Sequence, residues 1–530
     1  MGEVLHDHFS EYLGAYMFLA LGLVIFTGLP VAFAIGGIAL IFGFIGIWFE
    51  LISVNEFFIV LPRIWGGDGS SGAIQNPVLV AIPCFIFMGT MLERSRVAAD
   101  LLHILQVMLR RVPGGLALSV TVMGTIMAAT TGIIGASVVM MTLLALPTML
   151  AQRYDTSLAT GTLAASATLG ILIPPSIMLV LMANLLAVSV GNLFVGAIFP
   201  GLILSGLYFI YILVISSMRP ERAPPIDQAD IDMDPTNVGQ RNQYLMLIGG
   251  IIASSAFFQY AGLMQGINWN LTAFLLIFAA SMIYGKRARN TYFGAVLKGF
   301  IPPIFLVVLV LGSIFAGWAT PTEAAGVGAF GSIVLALFNQ TLNKEVLSDV
   351  VFRTTLTTAM IFLIFAGATT FSYIFRALYG EDLIIEFIEW LNLNPWGLLF
   401  ILMGVVFLLG FFFDWIEITL IILPVFAPVV KAMAPEFAGH IGLEGAPFAM
   451  VQNQAIYWFA ILVAINLQTS FLTPPFGFAL FYMKGVAPAE VKMQEIYRGI
   501  IPFVILQLIG LMTVVYWPQI TLWLPSIMLD

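Results

Sequence analysis

Cysteine is almost absent from this chain. The one thiol, Cys84, lies in an apolar run, so no internal disulfide framework and no multi-cysteine metal site can form. Charge is scarce too. Asp, Glu, Lys and Arg supply 9% of 530 residues, while 60% are hydrophobic and the mean hydropathy is +1.03. No soluble domain hides that much apolar surface, so the composition specifies an all-α polytopic membrane protein. The formal charge of −8 says little about partners, because the charges segregate by side of the membrane. Basic residues are missing before the first apolar run, which is preceded by Glu3, Asp7 and Glu11. That is unlike the basic n-region of a cleavable signal peptide. Histidine is limited to His6, His8, His103 and His440. The His6/His8 pair sits on a polar N-terminal segment and reads as solvated rather than metal-binding. No nucleophile–base pair, zinc-type spacing or phosphate loop stands out, so no catalytic residue is assigned and no nucleic-acid partner is expected.

What the chain does have is a proline pair inside an apolar stretch, twice. Gly170-Ile171-Leu172-Ile173-Pro174-Pro175-Ser176 recurs in kind as Ser470-Phe471-Leu472-Thr473-Pro474-Pro475-Phe476. Proline removes a backbone donor and breaks the helical ladder. Lipid cannot satisfy the freed carbonyls, so such a break persists only where protein or a water-filled cavity surrounds it. Two breaks at matching places in two halves point to a substrate and ion site near the membrane midplane.

Apolar runs predict crossings at about 13–28, 31–49, 77–93, 157–182, 193–217, 244–262, 268–284, 299–317, 322–339, 354–375, 447–483 and 499–518. Two further stretches, 116–150 and 396–430, start and finish on the same side as re-entrant hairpins. With both termini outside, seventeen of the 20 Lys and Arg fall inside, and only Arg63, Arg376 and Lys431 fall outside. The order of elements repeats. Each half has a proline turn, Gly28-Leu29-Pro30 and then Thr320-Pro321-Thr322. Each then has a helix ending in similar residues, Phe87-Met88-Gly89 and Phe365-Ala366-Gly367. An amphipathic segment follows, with Val97, Leu101, Ile104, Leu105 and Met108 on one face in the first half and Ile384, Phe387, Ile388 and Leu391 in the second. The first is bracketed by arginines and the second is acidic, which puts related elements on opposite sides of the membrane. The chain therefore reads as two inverted-topology repeats with re-entrant hairpins and broken helices. Residues 1–218 form the first repeat (hairpin 116–150, broken helix 157–182) and 299–530 the second (hairpin 396–430, broken helix 447–483). Residues 219–298 hold a solvated, mobile cytoplasmic linker and two inserted helices.

At this level the sequence resembles the large membrane subunit of tripartite ATP-independent periplasmic (TRAP) transporters, the DctM-like permeases. The matching stretches span nearly the whole chain: PVLVAIPCFIFMG at 77–89, LGILIPPSIMLVL at 169–181, FVGAIFPGLIL at 194–204, ATPTEAAGVG at 319–328, GFFFDWIEITLIILPVFAPVV at 410–430 and NLQTSFLTPPFGFALF at 466–481. The resemblance implies an elevator-type fold of the ion-transporter superfamily and sodium-coupled uptake of an organic acid across a bacterial inner membrane. It also implies two partners, a small four-helix membrane subunit and a periplasmic substrate-binding protein. The family usually has a shorter chain, so the inserted pair at 244–284 is a departure.

By analogy with the family, two sodium sites are expected. Thr131, Gly132, Thr168, Gly170 and Ser176 would form one, partly through backbone carbonyls. Gly410, Asp414, Thr469, Ser470 and Phe476 would form its inverted mate, with backbone near Thr473. Thr131-Gly132 aligns with a Ser-Gly step common in the family's first hairpin, and Ser137 falls where the family usually has a threonine. Sodium, a hard cation, prefers oxygen ligands of this kind. Only Glu323, Asp414 and Glu417 are acids within the hydrophobic layers, and an intramembrane carboxylate is a functional candidate by default. Asp414 matches the family's hairpin-tip aspartate, and it can cap a helix there as well. Glu417 stands where the family often has a small residue. It either faces the pocket, shaping selectivity or carrying a proton, or snorkels to the outer surface. Glu323 opens a helix after a proline turn and reads as structural. The substrate is expected between hairpin tips and broken helices, against Thr131, Ser137, Ser176, Glu417 and Thr473. No Lys or Arg is expected to be buried there, so helix N-termini, hydroxyls and bound cations would hold the anion. Asn184, Asn453 and Asn466 are either ligands or interhelical hydrogen-bond partners. Competing readings are a stand-alone dicarboxylate or citrate carrier of the same wider fold, and a membrane enzyme or channel.

Overall fold

An α-helix satisfies its own backbone in lipid, and among the described residues every extended regular element is helical. The computed structural model describes residues 11–66, 72–131, 134–225, 237–260, 269–288, 290–474 and 477–528. Ten of its helices are long and apolar enough to cross a membrane.

The first half runs α1 (Leu13–Ile25), α2 (Val31–Trp48), the short α3 (Val54–Phe58) and α4 (Val60–Trp65), α5 (Ala81–Arg94), α6 (Val97–Leu109), α7 (Gly115–Thr131), α8 (Ile134–Ala151), α9 (Thr156–Thr168), α10 (Ile177–Leu186) and α11 (Val190–Met218). Next come α12 (Val238–Tyr260) and α13 (Trp269–Arg287). The second half runs α14 (Tyr292–Phe315), α15 (Pro321–Phe338), α16 (Lys344–Ala377), α17 (Gly380–Leu391), α18 (Pro395–Leu409), α19 (Trp415–Met433), α20 (Phe448–Ser470), α21 (Phe478–Val486) and α22 (Met493–Tyr516), followed by a short α23 (Gln519–Met528). Helices occupy the predicted crossings, both hairpin stretches and the flanks of both proline breaks.

Local chemistry sets several of these ends. Gly28 adopts φ +81°, a region closed to most side chains, and lets the chain turn into Pro30 and α2. The inverted counterpart uses a capping box. The Thr320 N–H donates to Glu323 Oε2 at 2.8 Å and the Glu323 N–H to Thr320 Oγ1 at 3.3 Å, with Pro321 in the first turn. Glu323 thus has the structural role expected of it. Asp155 caps α9 and Asn394 caps α18.

The two halves interlock by exchange. Helix α2 packs along α16, and α15 packs along α5. These are the same contact viewed from each repeat, because α2 corresponds to α15 and α5 to α16. The first passes through Gly36 and Gly367, where a Cβ on Gly367 would sit 3.3 Å from the Gly36 nitrogen. The second passes through Gly328, where it would sit 2.7 Å from Met88 Sδ. Likewise α6 lies against α14 and α17 against α1, at Gly299 and Gly14 respectively. Small residues let helices approach where lipid provides no hydrophobic drive. The amphipathic α6 buries Val97, Leu101, Ile104 and Leu105, but Met108 is exposed. Val107 is buried instead, on a helix against which α7 packs.

The inserted pair joins the framework around α14. Phe278 stacks on Phe305 of α14 at 3.7 Å, and Tyr244 of α12 meets Ser281 of α13 at 2.5 Å between hydroxyl oxygens. The linker is not free at its start. Asp155 donates its N–H to Arg222 O at 2.8 Å, Gly114 donates to Ala223 O at 3.0 Å, and Ala223 is fully buried. Residues 219–223 therefore anchor the base of the first hairpin to the start of α9, because their carbonyls complete otherwise open backbone donors.

The tightest crossing joins α9 to α22. A Cβ on Gly161 would collide with the Gly499 carbonyl, and one on Gly499 with the Ser157 carbonyl. Gly161→Leu and Gly499→Leu should each lower the thermal midpoint of the purified protein, with an overpacking cost of roughly 1–3 kcal/mol or more. Gly206→Leu, which meets open space, should leave it unchanged. Size-exclusion chromatography after graded heating measures all three.

Candidate functional site

The first break begins where α9 stops at Thr168. A single 3-10 turn, Leu169–Ile171, carries the chain to Pro174 and Pro175, whose shared peptide is cis, and Ser176 opens α10. Every residue from Thr168 to Ser176 is buried except Ile173, which is half-buried. The protein thus encloses the broken backbone, as lipid requires. The Ser176 hydroxyl donates to the Ile171 carbonyl at 2.5 Å and staples the loop across its open side. In the second break α20 stops at Ser470. The Gly477 N–H returns to Thr473 O at 3.1 Å and the Ala479 N–H to Phe471 O at 3.3 Å before α21. Gly132, Pro475 and Phe476 lie outside the described residues, and Thr131 ends α7.

The side-chain oxygens expected at the two sites share one arrangement. Thr168 Oγ1 donates to Ala165 O at 2.9 Å, Thr469 Oγ1 to Ile465 O at 2.9 Å, Ser470 Oγ to Leu467 O at 2.8 Å and Thr473 Oγ1 to Thr469 O at 2.8 Å. Each proton is thereby committed to a nearby carbonyl of the same segment, which leaves each oxygen able to act as an acceptor. Ser137 is buried on α8, and Gly170 sits inside the 3-10 turn.

The hairpins bring their tips to these breaks. A methyl group at Gly410, the C-cap of α18, would run into the Ser470 hydroxyl, so hairpin and broken helix touch there. Asp414 is the N-cap of α19. Its Oδ1 accepts from the Trp415 N–H at 2.7 Å, and Glu417 Oε2 accepts from the Asp414 N–H at 2.9 Å. The two carboxylates share one turn, half-buried, and Glu417 folds back on its own helix start rather than reaching for the outer surface. In the first half, α7 packs on the 3-10 turn and α8 on α9.

Contacts then cross between repeats. Helix α10 packs on α19 and α21 on α8, again one contact seen from each half. All four helices begin at a break or a hairpin tip, so each presents its positive N-terminal end there.

Two residues not singled out by sequence belong here. Gln468 Nε2 donates to Thr168 Oγ1 at 3.2 Å, tying the ends of the two broken helices together, while the buried Gln468 Oε1 has no partner among the described residues. Tyr482 of α21 lies within electrostatic reach of Asp414 and Glu417, and its ring would sit 2.9 Å from a Cβ on Gly135 of the first hairpin. Both are ordinary polar or aromatic residues in apolar helices, and only their mate three hundred residues away marks them. Two of the asparagines make other hydrogen bonds. Asn466 donates to Met403 O at 2.7 Å and Asn184 accepts from Asn76. Asn453 lies on α20.

Chemically, the centre offers hydroxyl, amide and backbone oxygens with one carboxylate pair. Among the described residues no cluster of three or more His, Cys, Asp or Glu exists to hold a metal ion. That donor set fits a hard monovalent cation and not a transition metal.

Comparison with known proteins agrees with this architecture. The profile described as tripartite ATP-independent periplasmic transporter, DctM component, matches residues 18–520. A C4-dicarboxylate TRAP transporter large permease protein, DctM, of Pseudomonas aeruginosa is 25% identical over 85% of this chain and 87% of its own. The sialic acid permease SiaM of Vibrio cholerae is 23% identical over 93% and 98%. The ectoine/5-hydroxyectoine permease UehC of Ruegeria pomeroyi is 24% identical over 85% and 86%. Among solved structures, the YdaH transporter of Alcanivorax borkumensis shares the fold, with a TM-score of 0.50 at 14% identity over 89% of each chain. The chain is a multi-pass transport protein and not an enzyme, and it belongs to the DctM component family of tripartite ATP-independent periplasmic transporters.

Proposed function

We propose that this protein drives sodium-coupled uptake of an organic acid across the bacterial inner membrane. The carrying observation is the meeting of two backbone breaks and two hairpin tips around hydroxyls whose protons are given to carbonyls of their own segments, which leaves acceptor capacity on the oxygens. One sodium site takes Thr131, Gly132, Thr168, Gly170 and Ser176. The other takes Gly410, Asp414, Thr469, Ser470 and Phe476. When bound, sodium supplies positive charge beside the substrate, and the chain's residues supply its oxygen shell. The anion lies between the tips, against helix N-termini, with Thr131, Ser137, Ser176, Glu417 and Thr473 within the binding region. Tyr482 closes the space between the two hairpins.

The carboxylate class follows from relatives named for C4-dicarboxylates and sialic acid. A periplasmic binding protein delivers the substrate and a small membrane subunit completes the transporter, as the family description implies. Alternating access moves the hairpins and broken helices as one body past the framework of α2, α5, α15 and α16. Two features support that motion: the exchanged pairs α2–α16 and α5–α15 form a continuous framework, and α6 and α17 lead from it to the hairpins.

In vesicles reconstituted with the small subunit, uptake should follow an inward sodium gradient and require the cognate binding protein. Uptake driven by a proton gradient with sodium absent would count against the two-sodium assignment. Uptake without the binding protein would favour a stand-alone carrier.

Asp414→Asn isolates the charge, because asparagine caps a helix as well as aspartate does. Protein abundance should hold, while the sodium concentration for half-maximal uptake rises about tenfold, the loss expected for about 1.4 kcal/mol of charge-assisted binding. An unchanged sodium half-saturation would remove Asp414 from the site.

A further inference from the structure

Two of the three arginines and lysines assigned outside by charge sorting converge on one cavity. It is an open cleft of about 600 Å³, lined by Pro62 and Arg63 from α4, Ser372, Tyr373 and Arg376 from α16, and Asn184 from α10. Leu420 and Pro424 of α19 close it. The residues lining it include no Asp or Glu. Arg376 spends its charge on Glu381 of α17, at 2.6 Å. Arg63 does not. Its guanidinium lies over the Tyr373 ring, 4.6 Å from the centroid, and among the described residues it makes no ion pair. Tyr373 is itself fixed, donating its hydroxyl to Glu56 O at 2.8 Å, and the Glu56 carboxylate is occupied by the Ser53 N–H at 2.8 Å. The stacking therefore holds a cationic fork, without an ion pair among the described residues, at the wall of a largely apolar cavity whose lining has no acid.

The position of this chamber ties it to the transport path. Helix α19 starts at the hairpin tip with Asp414 and reaches the chamber at Leu420 and Pro424, roughly 9–15 Å along the helix at 1.5 Å per residue. Helix α10 likewise starts at the first break and reaches the chamber at Asn184. One wall thus belongs to the framework and the other to the body that carries the site. The volume falls in the range of small-molecule pockets.

We propose that this chamber is a carboxylate-binding antechamber, distinct from the site between the hairpin tips, in which Arg63 takes the incoming anion. The proposal rests on the carboxylate-uptake reading for its ligand class, and it assigns a charge to a path whose centre has no cationic side chain. Arg63 is a binding residue of the approach and not a ligand of the sodium sites.

The test uses the full chain with Cys84→Ser and one new thiol at Ser372→Cys in the chamber wall. Labelling rates are compared for a sulfonate-bearing and a trimethylammonium-bearing thiol reagent, each relative to free cysteine. The anionic reagent should be favoured about tenfold, as expected where a cleft of one charge sign concentrates counter-ions. Arg63→Gln should remove most of that preference, and Arg63→Lys should keep it. Succinate as the probe should slow labelling with Arg or Lys at position 63 and not with Gln. A reagent preference equal to that of free cysteine, or equal succinate protection in Arg63→Gln, would overturn the proposal. Labelling needs neither a sodium gradient nor a binding protein, so its failure is separable from a failure of the uptake assay.

Discussion

A broken backbone inside hydrocarbon has to be surrounded, and the rest of this structure is arranged around that requirement. Each proline pair frees carbonyls that lipid cannot satisfy. The first break is buried almost completely and is stapled internally by Ser176. The second closes its loop with backbone bonds from Gly477 and Ala479. Enclosure requires other elements to come close, and the hairpins supply them, down to contact between Gly410 and the Ser470 hydroxyl. The same demand that makes the breaks structurally costly also gathers oxygen atoms, helix N-termini and a carboxylate in one small region.

Two-fold exchange makes this arrangement stable without a water-driven core. Each framework contact occurs twice with the partners reversed, α2 on α16 and α15 on α5, and each relies on glycine for close approach. The centre repeats the pattern, with α10 on α19 and α21 on α8. The Gln468–Thr168 hydrogen bond joins the two broken helices where they meet.

Much of the design was legible in the chain. The breaks, the hairpins and the paired order of elements follow from proline position, hydropathy and charge, all of which act locally. Glu323 was readable as a helix cap because its partner Thr320 is three residues away. Asn466 was placed among interhelical hydrogen-bonders or ligands, and it bonds the Met403 carbonyl. Tyr482 and Gln468 were not legible, since their roles come from partners more than sixty residues away in the chain. Charge sorting puts Arg63 and Arg376 in one group, yet nothing local indicates that they share a cavity. The linker start misleads for the same reason: residues 219–223 look solvated until Gly114 and Asp155 are seen to use their carbonyls.

The sequence alone therefore determined the class, the element order and where the backbone must break, because solvation of apolar and peptide groups is a local cost paid residue by residue. Only the tertiary structure decided that Gln468 meets the Thr168 hydroxyl, that Glu417 folds back onto the Asp414 amide, and that a guanidinium stacked on Tyr373 faces a cleft whose lining has no acid. Those outcomes depend on distances between segments far apart in the chain, and those distances are fixed only when the two inverted halves pack against each other.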